Sequence, residues 1–473
     1  MNIIEERGVF WWSHDSSREK EVTGLLKITD NGKISLHLDG EFCPESLSSK
    51  TTIINGEGVL LEDEIIYGKL NKYNQAVSLF ELRFFGILHI DTFQASHCLI
   101  GLDFGHNDLS ESLINPECKQ IDISLDGFEN WLFWQPIKCV DNDKEVLITY
   151  NIPDDDVYNT ENAEIRITYY SNISSESNVQ DVTIRAAADF IYKPNVPINL
   201  KSIKNIFQCL QDLLILLTNS EYCLNKWPVL TLSHNDKKYR FYYWRYTNSA
   251  NKLDQYEIPI YFDRIKSSFG EIFSLWMKQS ELLGSAFYSF LSTKRGVMLY
   301  IEDHFRALVG GLEAYHRKTV ENPPISKKLQ DKIDRILGQI ELRKDKEWLS
   351  DHVIKRAHIN EPPLSDRLFC VITYVQPHLD KEKIRNFTHR CASIRNDLSH
   401  YAGQRDSNNN TLFYQELVRI NDALSYLYHA LILTDIGVNK ALIEKWFNDS
   451  MYSYRIKKAL TDVGLIDMPS KIQ

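Results

Sequence analysis

No run of this sequence is apolar for long enough to cross a bilayer as a helix. The most apolar window, IFQCLQDLLILLT at 206 to 218, stops at 13 residues and is interrupted by Gln208, Gln211 and Asp212, whereas a span needs about 20. A buried helix is expected there instead. The first residues, MNIIEERGVFWWSHD, put Glu5 and Glu6 where a secretory leader carries positive charge, and no apolar core with a small-residue cleavage site follows. Export is not expected, and the cytoplasm is the compartment this pattern suits. The eight cysteines (43, 98, 118, 139, 209, 223, 370 and 391) include no C-x-x-C pair and no nearby histidine at zinc-finger spacing, which leaves zinc fingers without support. Reduced core thiols are expected.

Several catalytic signatures are missing as well. There is no Walker-type phosphate loop, no G-x-S-x-G elbow and no H-E-x-x-H helix, so nucleotide hydrolysis, esterase and zincin chemistry have no support. The acidic run Asp154, Asp155, Asp156 lacks the spacing of a Ca²⁺ loop and reads as a solvated turn. No carboxylate cluster suggests a metal-dependent nuclease, and no cofactor or metal is expected. No repeat at solenoid period is visible.

What remains is an ordinary globular composition, 43% hydrophobic and 25% charged over 473 residues, which implies two or three folded domains and little disorder. The net charge of −10 argues at first against a phosphate-bearing partner. The average conceals an asymmetry: residues 1–262 hold 23 Lys+Arg against 38 Asp+Glu, or −15, and residues 263–473 hold 31 against 26, or +5. Only the second half is suited to face RNA or DNA.

The same division appears in the hydrophobic pattern. From Gly24 to about Lys193, short segments such as GLLKIT, KISLHLDG, SLFELRFFGILHI, EVLITYNI, AEIRITYYS and DVTIRAAADFIY alternate β-branched or aromatic with polar residues. Turn residues such as DNG at 30 to 32 bound most of them, which predicts an antiparallel sandwich-like or barrel-like domain. A helical insertion at 200 to 218 and a strand pair, VLTLSH and YRFYYWRY, complete residues 1–262. Residues 263–473 read as helices with apolar positions at three- and four-residue steps, broken at ENPPIS, INEPPLS and GQRDSNNNT. The fold class expected is therefore α+β and multidomain, with a β-rich domain followed by an all-α bundle.

Within that bundle SIRNDLSHYAG, residues 393 to 403, sets Arg395, Asn396 and His400 at a predicted helix end. The spacing alone has little weight, because Arg7 and His14, and Arg83 and His89, match an equally loose pattern. Context separates the third match: polar Asn396 follows the arginine, where Phe84 follows Arg83 inside a strand. Histidine can exchange protons near neutral pH, and arginine can hold a phosphate bidentately, which is sufficient for metal-free RNA cleavage. On a regular helix five residues turn the side chains by roughly 140° and separate them by about 7.5 Å. Convergence needs the helix to loosen between Ser399 and Gly403, or a second copy of the site. The alternative is a helix end at which both side chains cap carbonyls.

RNDLSH resembles the signature of the HEPN superfamily of helical ribonucleases. The segment HFRALVGGLEAYHRK at 304 to 318 is similar to the helix preceding that motif in Apea-like HEPN proteins, and the N-terminal RGVFWW and GLLKITDNGKISLHLDGEF resemble the β-rich domain fused to HEPN in ApeA proteins. The resemblance implies a metal-independent anti-phage endoribonuclease, with Arg395 and His400 catalytic and two bundles pairing so that both motifs line one cleft. RNA is the implied substrate, by analogy a structured RNA such as tRNA. Asn396 is expected to fix the motif's geometry. Glu313 either orients Arg395 or His400 or forms an i, i+4 pair with Arg317. Tyr401 either stacks on a base or packs. Gly310 and Gly311 in mid-helix imply a close backbone approach. The acidic β domain is expected to sense a phage-derived trigger. A HEPN bundle without catalysis, a metal-dependent nuclease and a purely binding chain remain open alternatives.

Overall fold

A computed structural model describes residues 2–15, 17–42, 59–61, 63–87, 90–102, 115–142, 145–175, 182–245, 258–295, 299–321, 327–354, 361–376, 378–400, 410–449 and 453–467. It divides into two compact units. The first comprises Met1–Leu214, Ser220–Gln255 and Tyr261–Ser274, and the second Ile215–Asn219, Tyr256–Ile260 and Leu275–Gln473.

The first unit opens with β1 (Asn2–Trp12), β2 (Val22–Thr29), β3 (Ile34–Leu38), β4 (Val59–Leu61), β5 (Ile66–Leu70), β6 (Ala76–Ile87) and β7 (Ile90–Gly101). Six of these close on themselves in the antiparallel order β1-β2-β3-β7-β6-β5, with β5 returning to β1. Period-two alternation drives the closure. Leu26 and Ile28 on β2, and Ile34, Leu36 and Leu38 on β3, are buried, while the residues between them are partly exposed. Each such side chain contributes about 1.5–3 kcal/mol on leaving water. The DNG signal is a hairpin loop in which Gly32, at φ 78°, donates its N–H to Thr29 O at 2.9 Å. A Cβ there would meet the Tyr243 carbonyl, so glycine is required on both counts.

The sheet continues through the far half of β7 into β16 (Lys238–Tyr243), β15 (Leu224–Leu232), β8 (Glu117–Leu125), β13 (Val182–Pro194), β12 (Ala163–Ser175) and β11 (Asp156–Asn159). A separate exposed hairpin pairs β9 (Ile137–Asn142) with β10 (Glu145–Tyr150), and β14 (Ile198–Asn199) adds to β8. Two helices, α1 (Phe128–Leu132) and α2 (Leu200–Thr218), supply apolar faces. The window singled out as a buried helix is the latter, with Ile206, Leu210, Leu213, Leu214 and Leu217 buried.

Two expectations change. Asp155 and Asp156 do not form a solvated turn: Asp156 accepts from Tyr169 Oη at 2.7 Å and pairs with Lys266 at 2.8 Å, and Asp155 pairs with Arg166 at 3.4 Å. Cationic neighbours brought by tertiary folding hold them. The thiols are not all core either. Cys98, Cys118 and Cys391 are buried, Cys209 and Cys223 are intermediate, and Cys139 and Cys370 are exposed. Cys43 lies outside the described residues.

A single-turn helix, α3 (Phe262–Ile265), and the 15-residue α4 (Phe269–Leu283) precede the bundle. Its elements are α5 (Ser285–Ser292), α6 (Ile301–Thr319), α7 (Lys327–Gly338), α8 (Arg343–Trp348), α9 (Leu364–Val375), α10 (Lys381–His400), α11 (Asn410–Asp435), α12 (Lys440–Asp449) and α13 (Ser453–Asp462). Central to it is α6, which packs on α5, α9, α10 and α11. Its buried residues Phe305, Leu308, Val309, Leu312 and Tyr315 follow the three- and four-residue step of an amphipathic helix. Among the described residues, no helix is long and apolar enough to cross a membrane.

Candidate active site

Burial on α10 follows Ile384, Phe387, Cys391, Ile394 and Leu398, so the helix lays one stripe against its neighbours. Arg395 follows the stripe by one position and is half-exposed, and Asn396 and Asp397 face outward. Helical structure runs unbroken through Ser399 to His400. The expected loosening is absent at those two residues; Tyr401, Ala402 and Gly403 lie outside the described residues. His400 is placed as the last helical residue. Positions five apart on a continuous helix lie about 140° apart around its axis.

Across the helix pair, Glu313 from α6 approaches Arg395, with Oε2 3.8 Å from Nη2. The same carboxylate accepts from Arg317 Nη2 at 3.0 Å and Nε at 3.2 Å. Both expected roles of Glu313 thus coexist, as an i, i+4 partner of Arg317 and as the acidic neighbour of Arg395. Among the described residues, no side-chain hydrogen bond to Asn396 is formed.

The chain of charge extends inward. Arg317 also pairs with Glu361, which accepts from Arg367 Nη2 at 2.7 Å. Arg367 is 1% exposed, and its Nε donates to Pro362 O at 2.9 Å. Its Nη1 lies 3.4 Å from His316 Nδ1. Burial, then the Arg367 and Arg317 charges, lower the His316 pKa, which favours a neutral ring whose Nδ1 accepts from Arg367. A further arginine, Arg306, donates through Nη2 to the Leu398 carbonyl at 3.1 Å, in the last described turn of α10.

Sequence reasoning singled out Glu313, with Arg317 as its i, i+4 partner, on α6; it gave no sign of the neighbours Arg306, Glu361 and Arg367. Arg306 was accessible in principle, since it lies seven residues before Glu313 and on the same helical stripe. Glu361 and Arg367 belong to the segment before α9 and to α9 itself, and only tertiary packing brings them to Arg317.

The two mid-helix glycines differ. A Cβ on Gly311 would lie 2.5 Å from Tyr428 Oη and 2.9 Å from Ser289 Cβ, whereas one on Gly310 would meet nothing within 4 Å. Close approach accounts for Gly311. Gly310 is exposed on the side of α6 that carries Arg306 and Glu313. Among the described residues, no three His, Cys, Asp or Glu side chains gather as a metal-holding group.

Comparison with protein families matches ApeA N-terminal domain 1 to residues 6–276, more than half of the chain, and Apea-like HEPN to residues 307–442. The chain belongs to the ApeA N-terminal domain 1 family. Its second half carries an Apea-like HEPN domain, as RNDLSH and LEAYHR implied. The HEPN match includes the whole charge chain from Arg395 to Arg367. ApeA membership with an Apea-like HEPN domain supports a HEPN nuclease-type function in anti-phage defence. No curated protein and no solved structure gives a significant match.

Proposed function

We propose that the chain is a metal-independent endoribonuclease whose catalytic pair is Arg395 and His400. The observation that carries this reading is the approach of Glu313 to Arg395 at 3.8 Å, five residues before the helix-terminal histidine. Arg395 grips the scissile phosphate through its guanidinium. His400 removes the proton from the 2′-OH, the 2′ oxygen attacks phosphorus, and the bond to the 5′ oxygen breaks as that oxygen gains a proton. The products are a 2′,3′-cyclic phosphate and a 5′-OH end. Glu313 orients Arg395, and Asn396 lies beside it on the solvent side, where it reaches RNA or a second protomer.

Positions 395 and 400 lie about 140° apart around a continuous helix, which favours a homodimer in which two motifs line one cleft and each supplies what the other lacks. The substrate class is structured RNA such as tRNA, cut in the cytoplasm, and the net charge of +5 on residues 263–473 suits a phosphate ligand. Residues 1–262 act as the regulatory domain that responds to a phage-derived trigger. The full chain is then expected to be far less toxic in uninfected than in infected cells; equal toxicity in both removes the regulatory role. The deciding experiment compares RNA cleavage by wild type, Arg395→Ala and His400→Ala with EDTA present. Each substitution is expected to lower the rate by about 10² or more. Cleavage that both variants retain, or that EDTA abolishes and Mg²⁺ restores, overturns the assignment.

A further inference from the structure

Two contacts tie the proposed motif to α6, one near each end of its five-residue span. At the earlier position the Glu313 carboxylate approaches Arg395 at 3.8 Å. At the later one Arg306 Nη2 donates to the Leu398 carbonyl at 3.1 Å. Positions 306 and 313 lie about 20° from one another around the axis of α6, and Gly310 between them adds no side chain to that stripe. One face of α6 therefore meets α10 both at the arginine and beside the turn that leads to the histidine.

The second contact comes where packing stops. Leu398 is the last residue of the buried stripe on α10, and Ser399 beyond it is exposed. Apolar docking thus ends two residues short of His400. Helix ends fray where packing is lost, whereas a general base must be held within hydrogen-bond reach of the proton it removes. The Leu398 carbonyl lies in the peptide plane that joins 398 to 399, so a bond to it fixes the direction in which the backbone runs to His400. A carbonyl oxygen carries two lone pairs, and the contact does not compete with helix hydrogen bonding. A charged donor makes it stronger than a neutral pair. Among the described residues, no other side chain bonds to the backbone of positions 396 to 400.

Arg306 is itself held. Its Nη1 donates to Asp303 Oδ1 at 2.8 Å, in the first turn of α6. That turn is anchored from α11, where Asn421, 3% exposed, donates through Nδ2 to the Ile301 carbonyl at 3.0 Å. The two Nη atoms of one planar guanidinium thus address separate acceptors, a carboxylate on α6 and a backbone carbonyl on α10. A lysine at this position has a single nitrogen and cannot reproduce that fork.

The geometry points to Arg306 as a positioning residue that sets the last described turn of α10, and with it His400, for proton transfer. This rests on the nuclease reading, and the tests separate the two. Hydrogen exchange of the full-length protein needs no RNA: Arg306→Ala should speed amide exchange in peptides covering 396–400 by about fivefold or more. Peptides from α9 and the denaturation midpoint should stay unchanged, because Arg306 is 41% exposed and an exposed pair adds little to stability. With total cellular RNA as substrate and EDTA present, Arg306→Ala should lower kcat by about tenfold or more, at a KM within about twofold of wild type. Arg306→Lys, which keeps one cationic donor for the Leu398 carbonyl, should recover part of that loss. Unchanged exchange at 396–400 overturns the proposal, as does a raised KM at wild-type kcat, which would make Arg306 a phosphate ligand instead. Wild-type kcat in Arg306→Ala beside lost cleavage in His400→Ala removes the positioning role and leaves the nuclease reading standing. Cleavage that His400→Ala retains removes both.

Discussion

Glu313 serves two arginines with one carboxylate, and the geometry ranks them. Arg317 is bound at 3.0 Å and Arg395 only approached at 3.8 Å, which fits the proposal that the carboxylate orients Arg395 and leaves its donors to the phosphate. Arg395 is 40% exposed, and such a pair contributes about 0–1 kcal/mol to stability. Glu313→Gln should therefore leave folding nearly unchanged while lowering kcat by about 3- to 10-fold, which corresponds to about 0.7–1.4 kcal/mol in the barrier. In cleavage kinetics the double variant Glu313→Gln, Arg395→Ala should be no slower than Arg395→Ala. Strict additivity of the two effects would show that Glu313 acts on something other than Arg395. A different histidine sets the acid limit of the bundle. His429 is fully buried, and its Nε2 donates to the Leu216 carbonyl. Burial, with the Lys294 charge, lowers its pKa to about 3. Below about pH 6.5 the unfolded chain takes up a proton that the folded chain refuses, so stability falls as pH falls toward 3, by at most about 1.4 kcal/mol per pH unit from this group. Urea titrations at pH 7.5 and 5 should show that loss in wild type and a smaller one in His429→Gln.

At the scale of elements, the paired glycines of α6 separate propensity from packing. Gly310→Ala adds a Cβ to open space and should stabilise the isolated protein by up to about 1 kcal/mol. Gly311→Ala drives a Cβ onto Tyr428 and Ser289 and should cost about 1–3 kcal/mol. Tyr428→Phe, which removes the hydroxyl 2.5 Å from the new Cβ, should recover part of that loss on the Gly311→Ala background. Chemical denaturation of the three variants reads all of this, and equal effects at the two glycines would contradict the packing described. The element scale is also where the sequence was most legible. The α9 helix spans Leu364–Val375, the limits its periodicity predicts, because Pro362 and Pro363 punctuate its start and every buried contact is one-sided. Strand β7 was hidden: SLFELRFFGILHI reads as one strand, yet the chain reverses between Ile87 and Ile90, which pair with each other. A run of apolar residues with no Asn, Asp or Pro gives no turn signal. Strand β8 was not singled out either, although Ile121, Ile123 and Leu125 alternate with Asp122 and Ser124 in the manner of a strand with one buried face.

For the whole molecule, the homodimer is the proposal with the most direct readout. Arg395→Ala and His400→Ala proteins, each inactive alone, should recover part of the wild-type rate when co-expressed or mixed after exchange of protomers, because a mixed cleft keeps one arginine and one histidine. An active monomer in light scattering removes the dimer. The resemblance of two motifs put Arg395, His400 and Glu313 forward together, and the structure brings Glu313 to Arg395; Glu361 and Arg367 were not legible, since no local spacing links them to Arg317. The path of the chain carries a last consequence. Ile215–Asn219 and Tyr256–Ile260 belong to the helical unit although both precede its main body, and Ile260 N–H donates to Leu217 O at 3.0 Å inside it. The backbone therefore changes units five times, after 214, 219, 255, 260 and 274. A fragment that starts after Ser274 leaves Ile215–Asn219 and Tyr256–Ile260 behind, so it is expected to unfold at a lower denaturant concentration than the same helices in the full chain.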